Sequence, residues 1–222
     1  MTRNKSTERI AFIAAAAVAC AGIASAAYAQ DGKLGVYTGV VSVSGAEIGK
    51  HVKVDFRATV KVSLLVASRN ESSTRAEADD VDKPSATATI TQWELEARNG
   101  SPDSDGKITS WKCSLVAPTD VPMNASGALD LDHRTKKHSM FIALVSTKPI
   151  PLKCVNSRSG AYKTTQPVSL FFGTSEPDLM PANALPYADP ARLTAKQTLV
   201  PAGSMKGRYG PVDMEWDLRL GR

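Results

Sequence analysis

From Lys33 onward, apolar and polar residues alternate at every second position, the period of a β-strand, while the helical period of 3.6 is scarce. The clearest stretch places Val52, Val54, Phe56, Ala58, Val60, Val62 and Leu64 on one side. Lys53, Asp55, Arg57, Thr59, Lys61 and Ser63 stand between them. One face is apolar and the other wet, which is how an antiparallel strand with one solvated side reads. At about 3.3 Å per residue such a strand exceeds about 40 Å, so it must bend, bulge or be shared between two sheets. The C-terminal segment repeats the pattern, with Val212, Met214, Trp216, Leu218 and Leu220 inward and Asp213, Glu215, Asp217 and Arg219 outward.

Between these two segments the same pattern predicts strands near residues 36–43, 86–97, 108–117, 127–131, 138–145, 152–155 and 168–172. Residues 140–145 are apolar on both faces and read as a central strand. The register of 86–97 slips between Ile90 and the set Trp93, Leu95 and Ala97, which predicts a bulge at Thr91 or Gln92. Asp189-Pro190 reads as a helix N-cap followed by proline at the first helical position, predicting one short helix over 191–197. Residues 68–85 and 175–189 read as long loops. The expected fold class is all-β: an antiparallel β-sandwich, immunoglobulin-like or related, or an open barrel, of about 8–10 strands. Its expected core holds Val52, Val54, Phe56, Val60, Val62, Trp111, Leu129, Leu131, Ile142, Leu144, Met214, Trp216 and Leu218.

The first 29 residues do not belong to that pattern. Arg3, Lys5 and Arg9 precede an apolar, Ala-rich run over 10–23, which ends at Ala27-Tyr28-Ala29 ahead of Gln30. This is the layout of a secretory signal peptide with a small-residue cleavage site. Residues 30–222 are then expected to form a single domain of 193 residues, placed in the periplasm or secreted. Cys20 follows Ala17-Val18-Ala19, a poor version of a lipoprotein site, so lipid anchoring at Cys20 is the minor alternative. The leader holds three of the 27 basic residues and one of the 22 acidic ones, leaving 24 and 21, a net +3. So small a balance, with both signs interspersed, argues against a nucleic-acid partner. No later segment is long enough for a transmembrane span.

Cleavage removes Cys20 and leaves Cys113 and Cys154, a pair expected to form a disulfide in an oxidising compartment. Neither has a second cysteine two to four residues away, so zinc-finger spacing is absent. Trp93, Trp111 and Trp216 all sit in the apolar register of their strands and read as core. Loop aromatics and their basic neighbours are the recognition candidates: Arg158, Tyr162, Tyr187, Arg208 and Tyr209.

Catalytic patterns are sparse. There is no Gly-x-Ser-x-Gly elbow, and Ser104-Asp105-Gly106-Lys107 has Ser-x-x-Lys spacing on a turn, where no helix brings Lys to Ser. His133 and His138 flank a short connection and could face each other near Asp130 or Asp132, but two exposed polar residues beside a basic turn is the plainer reading. A calcium loop ending in Asp105-Gly106 fails at Ser101 and Lys112. No metal or cofactor is expected. The expected function is therefore a non-catalytic binding or structural role at a bacterial envelope, with an envelope glycan or a protein as partner. An envelope-polymer hydrolase using carboxylates that the fold brings together is one alternative. A subunit of a surface filament, with the strand over 52–64 as an augmenting edge, is another.

If the leader is read correctly, intact-mass analysis of the exported protein gives a chain beginning at Gln30. A species beginning at a lipid-modified Cys20, or an uncut chain retained inside the cell, contradicts it.

Overall fold

The computed structural model describes residues 34–78, 86–172, 183–203 and 206–221. Residues 1–29, read from the sequence as a leader, and Cys20 with them, lie outside the described residues. Thirteen strands follow one another: β1 (Val36–Ile48), β2 (Val52–Arg69), β3 (Ser73–Ala78), β4 (Ala86–Arg98), β5 (Ser110–Leu115), β6 (Thr119–Asp132), β7 (Lys137–Ser146), β8 (Ile150–Asn156), β9 (Gly160–Gln166), β10 (Ser169–Phe172), β11 (Leu185–Pro186), β12 (Arg192–Leu199) and β13 (Val212–Gly221). The strands pair antiparallel throughout. No helix among the described residues is long and apolar enough to cross a membrane.

The length of β2 organises the sheet. One edge pairs with β1 over the whole of that strand, and β13 and then β12 continue outward. The other edge is shared, with β4 beside Val52 to Val62 and β3 beside Leu64 to Arg69. The pairing shifts where Arg57 meets Gln92 and Ala58 meets Ile90, so Thr91 is the bulged residue, one of the two that the register slip identifies.

Beyond β4 the sheet divides into two arms. Glu94 to Arg98 leads to β5, β8 and β9, whereas Ala86 to Ile90 leads to β6, β7 and the short β10 and β11. The chain crosses between arms three times, and each crossing holds a proline: Pro118 between β5 and β6, Pro149 between β7 and β8, and Pro167 between β9 and β10. Proline has no N–H for a ladder and fixes its own φ, so it ends one strand and lets the next set off elsewhere. At the last crossing the freed groups find partners: Ser146 N donates to Val168 O at 2.8 Å, and Val168 N donates to Ser146 Oγ at 2.8 Å.

Inward residues of β1, β2, β6, β7 and β13 make one core, in which Trp216, Tyr37, Leu64, Met123, Leu129, Met140 and Ile142 are among the largest fully buried side chains. Tyr37 keeps its hydroxyl satisfied by donating to Pro190 O at 2.6 Å. Burial pushes its pKa up to about 12, so it stays protonated. At Gly39 an added Cβ would lie 1.9 Å from Asp217 O, so β1 and β13 approach too closely there for any side chain.

Four readings of the sequence are corrected. Residues 192–199 form strand β12, not a helix. Leu193, Gln197 and Leu199 are buried on one side while Arg192, Thr194, Lys196 and Thr198 face outward, so the period is 2. Asp189 Oδ1 does accept from Ala191 N at 2.8 Å, but the turn it stabilises feeds a strand. The stretch 68–85 contains strand β3 and the end of β2, because Asn70 Oδ1 accepts from Ser72 N and Ser73 N, both at 2.8 Å, and so closes a hairpin. The described part of 175–189 contributes β11. Val52 is 42 % exposed and Trp111 only half-buried, because both lie in the last core-facing row at that end of the sheet; the other expected core residues are buried.

Cys113 and Cys154 are direct partners across β5 and β8, with Cα atoms 4.0 Å apart, and are joined by a disulfide across a separation of 41 residues. In the chain-entropy account a loop of that size stabilises the fold by roughly 4 kcal/mol. The variant Cys113→Ala/Cys154→Ala should lose most of that in urea unfolding followed by circular dichroism. A loss below about 1 kcal/mol would mean that the bridge constrains little beyond what the ladder already fixes.

Candidate functional site

The disulfide carries the surface best suited to recognition. Register places Leu95, Cys113, Cys154 and Tyr162 in one row, and Ala97, Trp111, Asn156 and Gly160 in the next row outward. Directly opposed residues share a face. Trp111 and Tyr162 therefore stand on the same side as the bridge, one on β5 and one on β9. By strand geometry their Cα atoms are about 12 Å apart. Gly160 adds no side chain beside them, and Asn156 Oδ1 is committed to the β8–β9 turn, accepting from Arg158 N at 2.7 Å and Ser159 N at 3.1 Å. The bridge itself is buried, so the platform is the pair of partly exposed rings, Trp111 and Tyr162, at its margin. Trp111 is the residue sequence reasoning assigned to the core; its place in the last row of the sheet, beside the long 99–109 connection, was the signal against it.

Ion pairs brace the end of this platform. Arg158 Nη2 reaches Asp103 Oδ2 at 3.1 Å, pairs closely with Asp105 Oδ1 and also donates to Lys107 O at 3.4 Å. Thr109 Oγ1 donates to Asp103 Oδ2 at 2.6 Å. The hydrogen bond from Arg158 holds the Asp105 carboxyl below its usual pKa. Arg158 thus ties the β8–β9 turn to the β4–β5 connection. It sits beside Tyr162 as a brace and is already engaged.

Tyr187 lies elsewhere. Its hydroxyl is 2.7 Å from His133 Nδ1, while His133 Nε2 is 2.8 Å from Thr74 Oγ1. The Tyr187 ring also meets the edge of His138, with centroids 6.0 Å apart. His138 is buried, and its Nε2 accepts a hydrogen bond from Trp216 Nε1 at 3.1 Å. Indole can only donate, so Nε2 is the unprotonated nitrogen. This contact brings β7 against β13. Both histidines meet Tyr187, His133 through its hydroxyl and His138 through its ring, while their other partners differ, Thr74 for His133 and Trp216 for His138. Among the described residues no group of three or more His, Cys, Asp or Glu is placed to hold a metal ion.

Arg208 and Tyr209 form a third locality, at the far end of β1 from Tyr37. Tyr209 bridges to Glu47, and Arg208 O accepts from Ile48 N at 2.5 Å. Burial raises the pKa of both Glu47 and Tyr209, with Arg208 opposing it in each case. Tyr37 donates to Pro190 O, three residues on from Tyr187, so Tyr187 lies toward the other end of β1, about 33 Å away along the strand. The five candidate residues therefore fall in three places: Arg158 with Tyr162, Arg208 with Tyr209, and Tyr187 by itself.

His138 gives the fold a defined response to acid. Burial lowers its pKa from the ordinary 6.5, with the Leu185 backbone opposing. The unfolded chain takes up a proton there as pH falls through about 6.5 while the native state resists, so stability is full above that value and drains below it. The lowered carboxyls Asp105, Asp132, Asp217 and Glu96 act at more acidic pH, below the usual carboxylate range. Unfolding free energy measured between pH 7.5 and about 5 should therefore fall, and in His138→Gln, which keeps an acceptor for Trp216, the slope should flatten. Equal slopes in the two proteins would exclude His138 as the source.

Comparison with protein-family models, curated proteins and solved structures finds no match to this chain. Its function is read from its own surfaces.

Proposed function

We propose that the protein is an exported binding module, without chemistry of its own, that holds a glycan of the cell envelope on the platform of Trp111 and Tyr162. The observation that supports this reading is the placement of two partly exposed aromatic residues, Trp111 and Tyr162, on one face of the sheet at the margin of a buried disulfide. Flat rings offer apolar area to the C–H faces of sugars at little entropic cost, and a rigid base avoids the expense of ordering them on binding. The disulfide and the Arg158 brace supply that base.

The filament reading has less support. β2 is paired on both edges, so it offers no augmenting edge. β9, which among the described residues pairs with β8 alone and exposes most of its side chains on both faces, is the better candidate edge, but Lys163 stands at its centre. Charged residues on edges discourage strand addition. The hydrolase reading needs two free carboxylates in one cleft, and the acids nearest the platform, Asp103 and Asp105, are both held by Arg158.

The test is titration of soluble envelope-glycan fragments against Trp fluorescence. Tyr162→Ala and Trp111→Ala should each weaken binding by about tenfold or more. Tyr162→Ala should leave the melting temperature within a few degrees, since the ring rests on an edge strand. Unchanged affinity in both variants removes the platform. Turnover of the polymer that disappears on replacing one Asp or Glu replaces the binding reading with the enzymatic one.

A further inference from the structure

The outer face of the sheet, opposite the core, is sorted by charge in a way the platform does not use. β13 presents Asp213, Glu215 and Asp217 outward with Arg219 at its end, β12 beyond it presents Arg192 and Lys196, β2 presents Arg57 and Lys61, and β1 lies between β13 and β2 with the small Ser44, Ser42 and Val40. Register is strict: Val40 stands between Asp217 and Lys61, and Ser44 between Asp213 and Arg57. Over Asp213 to Asp217 an acidic row therefore runs on one side of a low strip, with Arg57 and Lys61 on the other, and shallow depressions flank β1 on both sides, meeting at Val40. Val40 is 37 % exposed, an apolar residue at the centre of a polar face.

We propose that this face docks on the same face of a second copy of the chain, about a two-fold axis running along β1. Rotation about such an axis keeps each residue's position along the strand and exchanges left for right. Asp217 then meets Lys61 of the second copy, Asp213 meets Arg57 of the second copy, and Val40 meets its own counterpart on the axis. Each charge pair occurs twice and the Val40 contact once, on the axis, as an isologous interface requires. The other in-plane axis, across the strands, sets acids against acids and bases against bases, so charge selects one orientation of the two. Packed sheets cross at about 30°, which leaves the pair in the row of Val40 matched most closely. Five strands at about 4.8 Å spacing and a ten-residue β13 give roughly 800 Å² per copy, the size of a standard interface. The contact is polar, so the dimer is salt-sensitive and reversible.

The experiment is sedimentation velocity on the purified protein across a concentration series, at about 20 mM and about 500 mM salt. A dimer that dissociates as salt rises is expected. Lys61→Glu alone and Asp217→Lys alone should each raise the dimer Kd by about tenfold or more, and the two together should return it to within about threefold of the parent. Asp217 also pairs with Arg192 at 3.0 Å, so the same cycle at Arg57→Glu and Asp213→Lys provides an independent reading. A monomer at every concentration in low salt overturns the proposal. So does a dimer that the single reversals leave intact, or failure of both double variants to restore association.

Discussion

Everything in this fold follows from one strand being longer than the layer it belongs to. β2 has eighteen residues with an unbroken apolar face, and burying that face needs more cover than one neighbour can give. β4 takes one part of its edge and β3 the other, and from that fork two arms arise. The Trp216–His138 contact brings the β7 arm back against β13, so the apolar faces cover one another. Hydrophobic burial drives the closure, while the positions of the bulge and the prolines decide where it happens.

The sequence was legible where inward residues are large and outward ones charged. β2 and β13 meet that condition, and so does the bulge at Thr91, because a one-residue slip moves every following side chain to the other face. It was illegible where the inward residues are small. β3 buries only Thr74 and Ala76, and β9 buries nothing, so neither carries a hydrophobic signal, and their places are set by neighbours and by an Asn70 turn. The pair Asp189-Pro190 served a strand equally well, since a side-chain cap and a fixed φ begin either element.

The candidate site was legible only in part, and for a different reason. Exposure is a property of the row in the sheet, not of the strand's own alternation. Trp111 and Trp93 have the same inward register, yet Trp93 is buried against Phe56 and Trp111 stands at the rim. Tyr162 and Arg158 were identifiable as surface residues, whereas the assignment of Arg158 to Asp103 and Asp105 needed the fold to bring two connections together.

The disulfide has a topological side as well. It closes the chain between Cys113 and Cys154, and the ring so formed contains the whole of β6 and β7, the strands of the opposite arm. A protease that cuts once anywhere inside that ring leaves a nicked molecule whose two pieces stay covalently tethered, with neither arm free to diffuse away. A single cut within that ring thus changes the chain's connectivity without dividing it, for as long as the bridge holds.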